Sequence, residues 1–240
     1  RLQNVFGKWC KPNYNSVVAT FCHNISNNLP IKINDNSSTI RLIYIDDLIK
    51  SLIEEIHTDF FGLRWPKVLP EYNTELGELA NLLHSFHDSR VNLETLEVGS
   101  GYLRAMYSTY LSYIKPSDFS YKLPSFEDER GVFLEVLKTK DSGQFSFFTA
   151  HPGVTRGGHY HHTKTEKFII LKGSALFKFR NILTNETQEI YITDKEIQVV
   201  ETIPGWAHDI TNIGNEEMIV LLWANEVFNR EYPDTISSHV

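Results

Sequence analysis

Two cysteines, Cys10 and Cys22, are all the thiols in 240 residues, and no Cys-x-x-Cys spacing occurs. That excludes a disulfide-stapled scaffold and leaves two reduced structural thiols, as expected of a cytoplasmic protein. No apolar run approaches the roughly 20 residues needed to cross a bilayer, and no signal peptide is visible, so no membrane partner is expected. Blocks of lysine and arginine are missing too. A formal charge of −7 argues against a nucleic-acid surface, although one arginine in a pocket can still hold a phosphate. No Gly-x-x-Gly-x-x-Gly turn follows a strand, so no backbone amides are placed to approach a dinucleotide pyrophosphate. The chain starts at Arg1 rather than methionine and opens like the middle of something, so an N-terminal segment is expected to be missing from it.

What is present is enough apolar material, 41%, for a proper core, distributed in two textures. Residues 1–57 mix loops with two helical patterns. One opens at Ser16, a good N-cap, and the other at Asp46-Asp47, where acidic side chains suit the positive end of a helix. A strand is expected over 40–45 between them. Residues 58–115 begin with a loop holding Trp65-Pro66 and Leu69-Pro70, then show helical stripes over 74–89 and 101–114. From 116 to 240 short β-rich runs alternate with turn signals such as Asp141-Ser142-Gly143 and Lys172-Gly173-Ser174. Runs are expected at 119–123, 132–137, 145–150, 167–171, 175–179, 188–192, 198–200 and 218–223. The fold class is therefore α+β: a partial α/β region and helices, followed by an all-β barrel or two-sheet jelly roll with its boundary near 115.

Within that β-rich part lies His159-Tyr160-His161-His162-Thr163-Lys164-Thr165-Glu166, answered by His208. His159 and His161 are two apart, so on a strand both side chains leave the same face. The polar turn after them brings Glu166 back beside the pair on the next strand. Gly205-Trp206-Ala207-His208 supplies the fourth ligand from a distant strand. Three imidazoles and a carboxylate suit a divalent ion such as Zn²⁺, Fe²⁺, Ni²⁺ or Mn²⁺. The remaining histidines carry no ligand spacing.

Gly157-Gly158-His159-Tyr160-His161, four residues, Glu166, six residues and Gly173 match the first cupin signature. Gly205, His208 and Asn212 fit the second, although Ile203 stands where cupins usually have proline and Ile197 where they have glycine. The order Asp128-Glu129-Arg130-Gly131…Glu135, Gln144 and Gly153-Val154-Thr155-Arg156-Gly157 resembles the dTDP-4-keto-sugar 3,5-epimerases. In that family the motif histidine is the base and arginines hold substrate, which would implicate His159, Arg156 and Arg130, with Gln144 a further substrate contact. A metal-bound His159 cannot also be a free base, so the proton carriers are sought among Tyr160, Lys164, His162 and Glu135. Arg130 and Arg156 are then expected on the diphosphate.

The whole chain is similar to the bifunctional capsular-polysaccharide enzymes of the CapF/WbjC type. Arg1-Leu2-Gln3-Asn4-Val5-Phe6-Gly7-Lys8-Trp9 and Tyr44-Ile45-Asp46-Asp47-Leu48 resemble the substrate-binding half of a short-chain dehydrogenase, followed by the cupin. The resemblance implies a cupin that epimerises C3 of a UDP-N-acetyl-4-keto-6-deoxy-hexose, using a divalent metal, most plainly zinc. In full-length homodimers, a dehydrogenase half then reduces C4 with NADPH towards UDP-N-acetyl-L-fucosamine. NADPH would bind only through the missing N-terminal half. A non-catalytic, metal-stabilised module for sugar-nucleotide binding or dimerisation is the alternative, and a metal-dependent dioxygenase a third.

Overall fold

The computed structural model describes residues 2–240, which pack as two units that divide between Tyr121 and Lys122. In the first, β1 (Asn4–Phe6) and β2 (Thr39–Tyr44) run parallel, with α1 (Val17–Ser26) between them in sequence. The α1 helix starts where expected: the Ser16 hydroxyl accepts from the Ala19 N–H at 3.2 Å. After α2 (Ile45–Ile56), β3 (Tyr72–Glu75) joins β2 antiparallel. It leads into α3 (Leu76–Asn92), whose first turn is closed by reciprocal Glu75 and Glu78 caps, and then α4 (Gly101–Leu111).

The expected division at residue 57 is not where the packing divides. One core joins Phe6, Val18 and Leu42 to Leu79, Leu83 and Met106. The Pro-rich stretch only interrupts the element order, because β3 returns to the sheet begun by β1 and β2. The α2 helix does leave Ile49, Leu52, Ile53 and Ile56 exposed.

The second unit is a two-sheet jelly roll. One sheet contains β4 (Ser125–Asp128), β5 (Gly131–Thr139), β6 (Gly143–Ala150), β8 (Glu166–Lys172), β11 (Val199–Glu201) and β13 (Met218–Ala224). The other contains β7 (Thr155–Tyr160), β9 (Ser174–Asn181), β10 (Thr187–Thr193), β12 (Trp206–Asn212) and β14 (Ile236–Ser237). Their inner faces meet over Phe148, Phe168, Ile170, Phe177 and Val220. The strand expected at 119–123 is replaced by a 3-10 turn, Pro116–Asp118, and irregular chain. Pro124 has no N–H to give a ladder, so pairing begins just after it.

Gly143, at the β5–β6 turn, has φ +81°, and a Cβ there would lie 1.9 Å from the Ala224 carbonyl oxygen. The left-handed backbone alone costs an L-residue about 1–2 kcal/mol, and the neighbouring strand cannot yield. Gly143→Ala is expected to destabilise the β unit by at least about 2 kcal/mol, read as a lower thermal midpoint. An unchanged midpoint would contradict this backbone placement.

Candidate metal centre

Strand register brings the ligands together. On one sheet His159 of β7 is the direct cross-strand partner of His208 of β12, and His161 follows just beyond the end of β7. Glu166 opens β8, which belongs to the opposite sheet. The turn 161–165 therefore does more than the sequence reading gave it. It carries the chain across the sandwich, and the four ligands reach the same point from both sheets.

One donor atom from each of His159, His161, Glu166 and His208 lies within 4.8 Å of all the others, and the last three residues are buried. The rings of His159 and His208 are 4.7 Å apart and those of His159 and His161 4.8 Å. His161 Nδ1 donates to the Asp234 carbonyl, and His208 Nδ1 lies 3.3 Å from the Trp206 carbonyl. With Nδ1 the donor in each ring, both Nε2 atoms turn lone pairs towards Glu166 Oε2, at 3.2 and 3.3 Å. His208 Nε2 is buried without a hydrogen-bond partner. Acceptors facing acceptors at a buried point suit a cation between them. Burial, reinforced by the nearby His208, lowers His159 to about 4, which works against extra protons in the cluster. Burial opposes ionisation of Glu166, and the charge of Lys164 beside it works the other way, in a carboxyl whose pKa lies well below the ordinary range. The residues present fit a divalent metal.

Of the four ligands, Glu166 lines a cleft of about 440 Å³. Across the six-stranded sheet, Ala224 pairs with both Glu166 and Gln144, and Ser146 pairs with both Glu135 and Leu222. Two adjacent inner rows thus carry Glu166 and Gln144, then Glu135 and Ser146, into one wall. Gln144 is buried and donates to Ser146 Oγ at 2.9 Å. Glu135 is 3.1 Å from Lys138 Nζ. Lys164 is buried, with Nζ 3.3 Å from Glu166 Oε1 and 5.6 Å from the Phe228 ring centre.

A second cavity of about 160 Å³, largely aromatic, lies inside the barrel against His159 and His208. Arg156 lines both spaces. Its Nε donates to the Thr149 carbonyl at 3.1 Å, its guanidinium lies over Phe148, and its Nη2 is buried without a partner. Arg130 lines the outer cleft alone and is gripped by Asp128, whose carboxyl it draws down to about 2.

Lys164, Glu135, Gln144, Arg130 and Arg156 are therefore gathered round one cleft with Glu166. Tyr160 and His162 are not. Tyr160 alternates away from His159 and pairs with Ile236 of β14, and its ring meets that of exposed His162, 5.4 Å away. Tyr160 and Lys164 have the Tyr-x-x-x-Lys spacing of dehydrogenases, but across a strand end and turn rather than along a helix. Sequence reasoning missed Phe228, Arg230 and Glu226, which also line the cleft, and Asp234. They follow β13 in a stretch with no periodic pattern to mark it.

Comparison with known proteins agrees with this architecture. Residues 126–236 match the family described as the polysaccharide biosynthesis C-terminal domain. The whole chain is 57% identical to the UDP-2-acetamido-2,6-beta-L-arabino-hexul-4-ose reductase of Pseudomonas aeruginosa, spanning 64% of that protein. About half of it, 47%, is 25% identical to the spore coat polysaccharide biosynthesis protein SpsL of Bacillus subtilis, over 82% of that protein. The crystal structure of the capsular polysaccharide assembling protein CapF from Staphylococcus aureus in space group C2221 superposes with a TM-score of 0.93. It shares 40% identity over all of this chain and 70% of that one. The chain belongs to the CapF family. The family carries a cupin jelly roll, as the second unit does, and the cupin's largely buried three-histidine, one-glutamate group could hold a metal. CapF has also been crystallised with the inhibitor 3-isopropenyl-tropolone, and that structure covers this chain with a TM-score of 0.94. The chain spans less than two thirds of the length of the Pseudomonas relative.

Proposed function

We propose that the cupin unit epimerises C3 of a UDP-N-acetyl-4-keto-6-deoxy-hexose in capsular polysaccharide or surface glycan synthesis. The observation that carries this reading is the meeting of Glu166, one of the four candidate ligands, with Arg156, Lys164 and Glu135 in one cleft. The name of the Pseudomonas relative, a UDP-linked 4-keto-sugar reductase, supports the substrate class. A bound zinc ion, held by His159, His161, Glu166 and His208, would supply Lewis acidity at a carbonyl oxygen.

The chain's own residues would do the rest. Epimerisation takes the C3 proton from one face and returns one to the other, while negative charge gathers on the C4 oxygen. Arg156 is suited to that oxygen rather than to the diphosphate, because its uncommitted Nη2 is buried at the level of the histidines. Lys164 and Glu135 are the proton carriers within the cleft, and Gln144 holds the sugar through its amide. Arg130 and Arg230 are left for the diphosphate. NADPH-dependent reduction of C4 is assigned to the part of the family's length outside this match, in a homodimeric protein.

Incubation with the UDP-keto-sugar in deuterated water should place deuterium at C3. Retained hydrogen, with substrate shown to bind, would overturn the epimerase. It would favour a binding module whose metal pins the two sheets, a reading that the placement of ligands on both sheets also supports.

A further inference from the structure

The turn from His161 to Lys164 crosses between the sheets, holds one metal ligand at its start, reaches Lys164 and precedes Glu166. A turn of this kind has few ladder bonds of its own, so its backbone donors must be satisfied elsewhere. Those of His162, Thr163 and Lys164 are satisfied by one residue, 70 to 72 positions away in sequence. Asp234 Oδ1 accepts from the His162 N–H at 2.9 Å. Its Oδ2 accepts from the Thr163 N–H at 2.7 Å, the Thr163 hydroxyl at 3.0 Å and the Lys164 N–H at 2.9 Å. The main-chain carbonyl of the same residue takes the Nδ1 proton of His161.

We infer that Asp234 is the positioning residue of the metal centre, coupling the ligand turn to the C-terminal segment that walls the cleft. Its carbonyl fixes the His161 tautomer, leaving the Nε2 lone pair for the ion, and its carboxylate fixes the backbone from which His161 and Lys164 project. The segment 226–234 that ends in Asp234 also places Glu226, Phe228 and Arg230 on the cleft. It is tied down at its other end, where Asn225 Oδ1 accepts from the Thr165 N–H at 3.0 Å. One short segment thus touches a ligand, the turn and the substrate wall. Coupling of this kind is reciprocal: the ion should order the segment as the segment orders the ligand.

The inference rests on the site holding a metal, not on the reaction proposed for it. Asp234→Asn keeps the main-chain carbonyl but sets an amide donor or a neutral oxygen against four donors. Its zinc affinity, measured by competition with a coloured chelator, is expected to fall roughly 10- to 100-fold, the usual cost of losing an outer-shell partner. Asn212→Ala is the control. It removes buried bonds to the Ala150 and Glu216 carbonyls within the same barrel, and should lower the melting temperature while leaving zinc affinity within about threefold. Wild-type zinc affinity in folded Asp234→Asn, or an equal loss in Asn212→Ala, overturns the inference. A second measurement needs no variant. Stripping zinc from the wild-type chain should speed hydrogen exchange at the amides of His162, Thr163 and Lys164 and through 226–236, with α3 unchanged. Equal exchange with and without zinc at those amides also overturns it. If no zinc binds the wild-type chain at all, it is the metal assignment that fails.

Discussion

Glu166→Gln is expected to weaken divalent-metal binding by more than about 100-fold, beyond what loss of an outer-shell partner costs. Glu166 is the single anionic donor among four ligand residues and is 6% exposed, so little water can replace its charge. Glutamine keeps the length and the carbonyl oxygen, which separates charge from shape. Its amide hydrogens would also face the Nε2 lone pairs of His161 and His208, giving the metal-free cluster the donors it lacks. The thermal shift produced by a fixed excess of zinc should therefore shrink, because stabilisation by a ligand scales with the logarithm of its concentration over Kd. The measurement is a pair of melts, with zinc and with chelator, beside a competition titration. A zinc-induced shift equal to that of the wild-type protein would remove Glu166 from the ligand set.

Arg156→Ala is expected to slow deuterium entry at C3 by roughly 10²–10³-fold, the scale for removing one donor from a developing oxyanion. Metal content should not change, since Arg156 touches no ligand atom through a hydrogen bond and is anchored instead on Thr149. Lysine at this position should restore little, because it keeps the charge but loses the planar fork that anchors Nε on Thr149 while leaving Nη2 free for the substrate oxygen. The informative quantity is the split between kcat and KM. A fall in kcat with little change in KM places the guanidinium on the reacting oxygen. A rise in KM alone would return Arg156 to the diphosphate, where the sequence had first put it.

How far each feature could be read in advance follows from the distance over which its cause acts. His159 and His161 were legible because a two-residue period on a strand fixes their side of the sheet, and His208 because glycine and polar turn residues mark its strand. The jelly roll was legible from the alternation of short apolar runs with turns. Asp234 was not, since its partners are backbone amides 70 to 72 residues away, and a backbone amide has no signature in sequence. That Tyr160 and His162 lie off the cleft was not legible, for a related reason. Proximity in sequence to the ligands says nothing of the cleft when neighbouring side chains on a strand point to opposite faces. The division at residue 57 followed a change in composition, whereas the core of the first unit is assembled from both sides of it.

Ligands drawn from two facing sheets have a further consequence. The spacing of the sheets at this end of the barrel and the metal–ligand bond length become one measurement. An ion with longer bonds would favour a wider spacing of β8 from β7 and β12, and β8 carries Glu166 on the cleft. The ion's identity would then act as a dimension of the substrate site as well as a source of charge. Metal exchange would then alter the width of that site without any change of side chain.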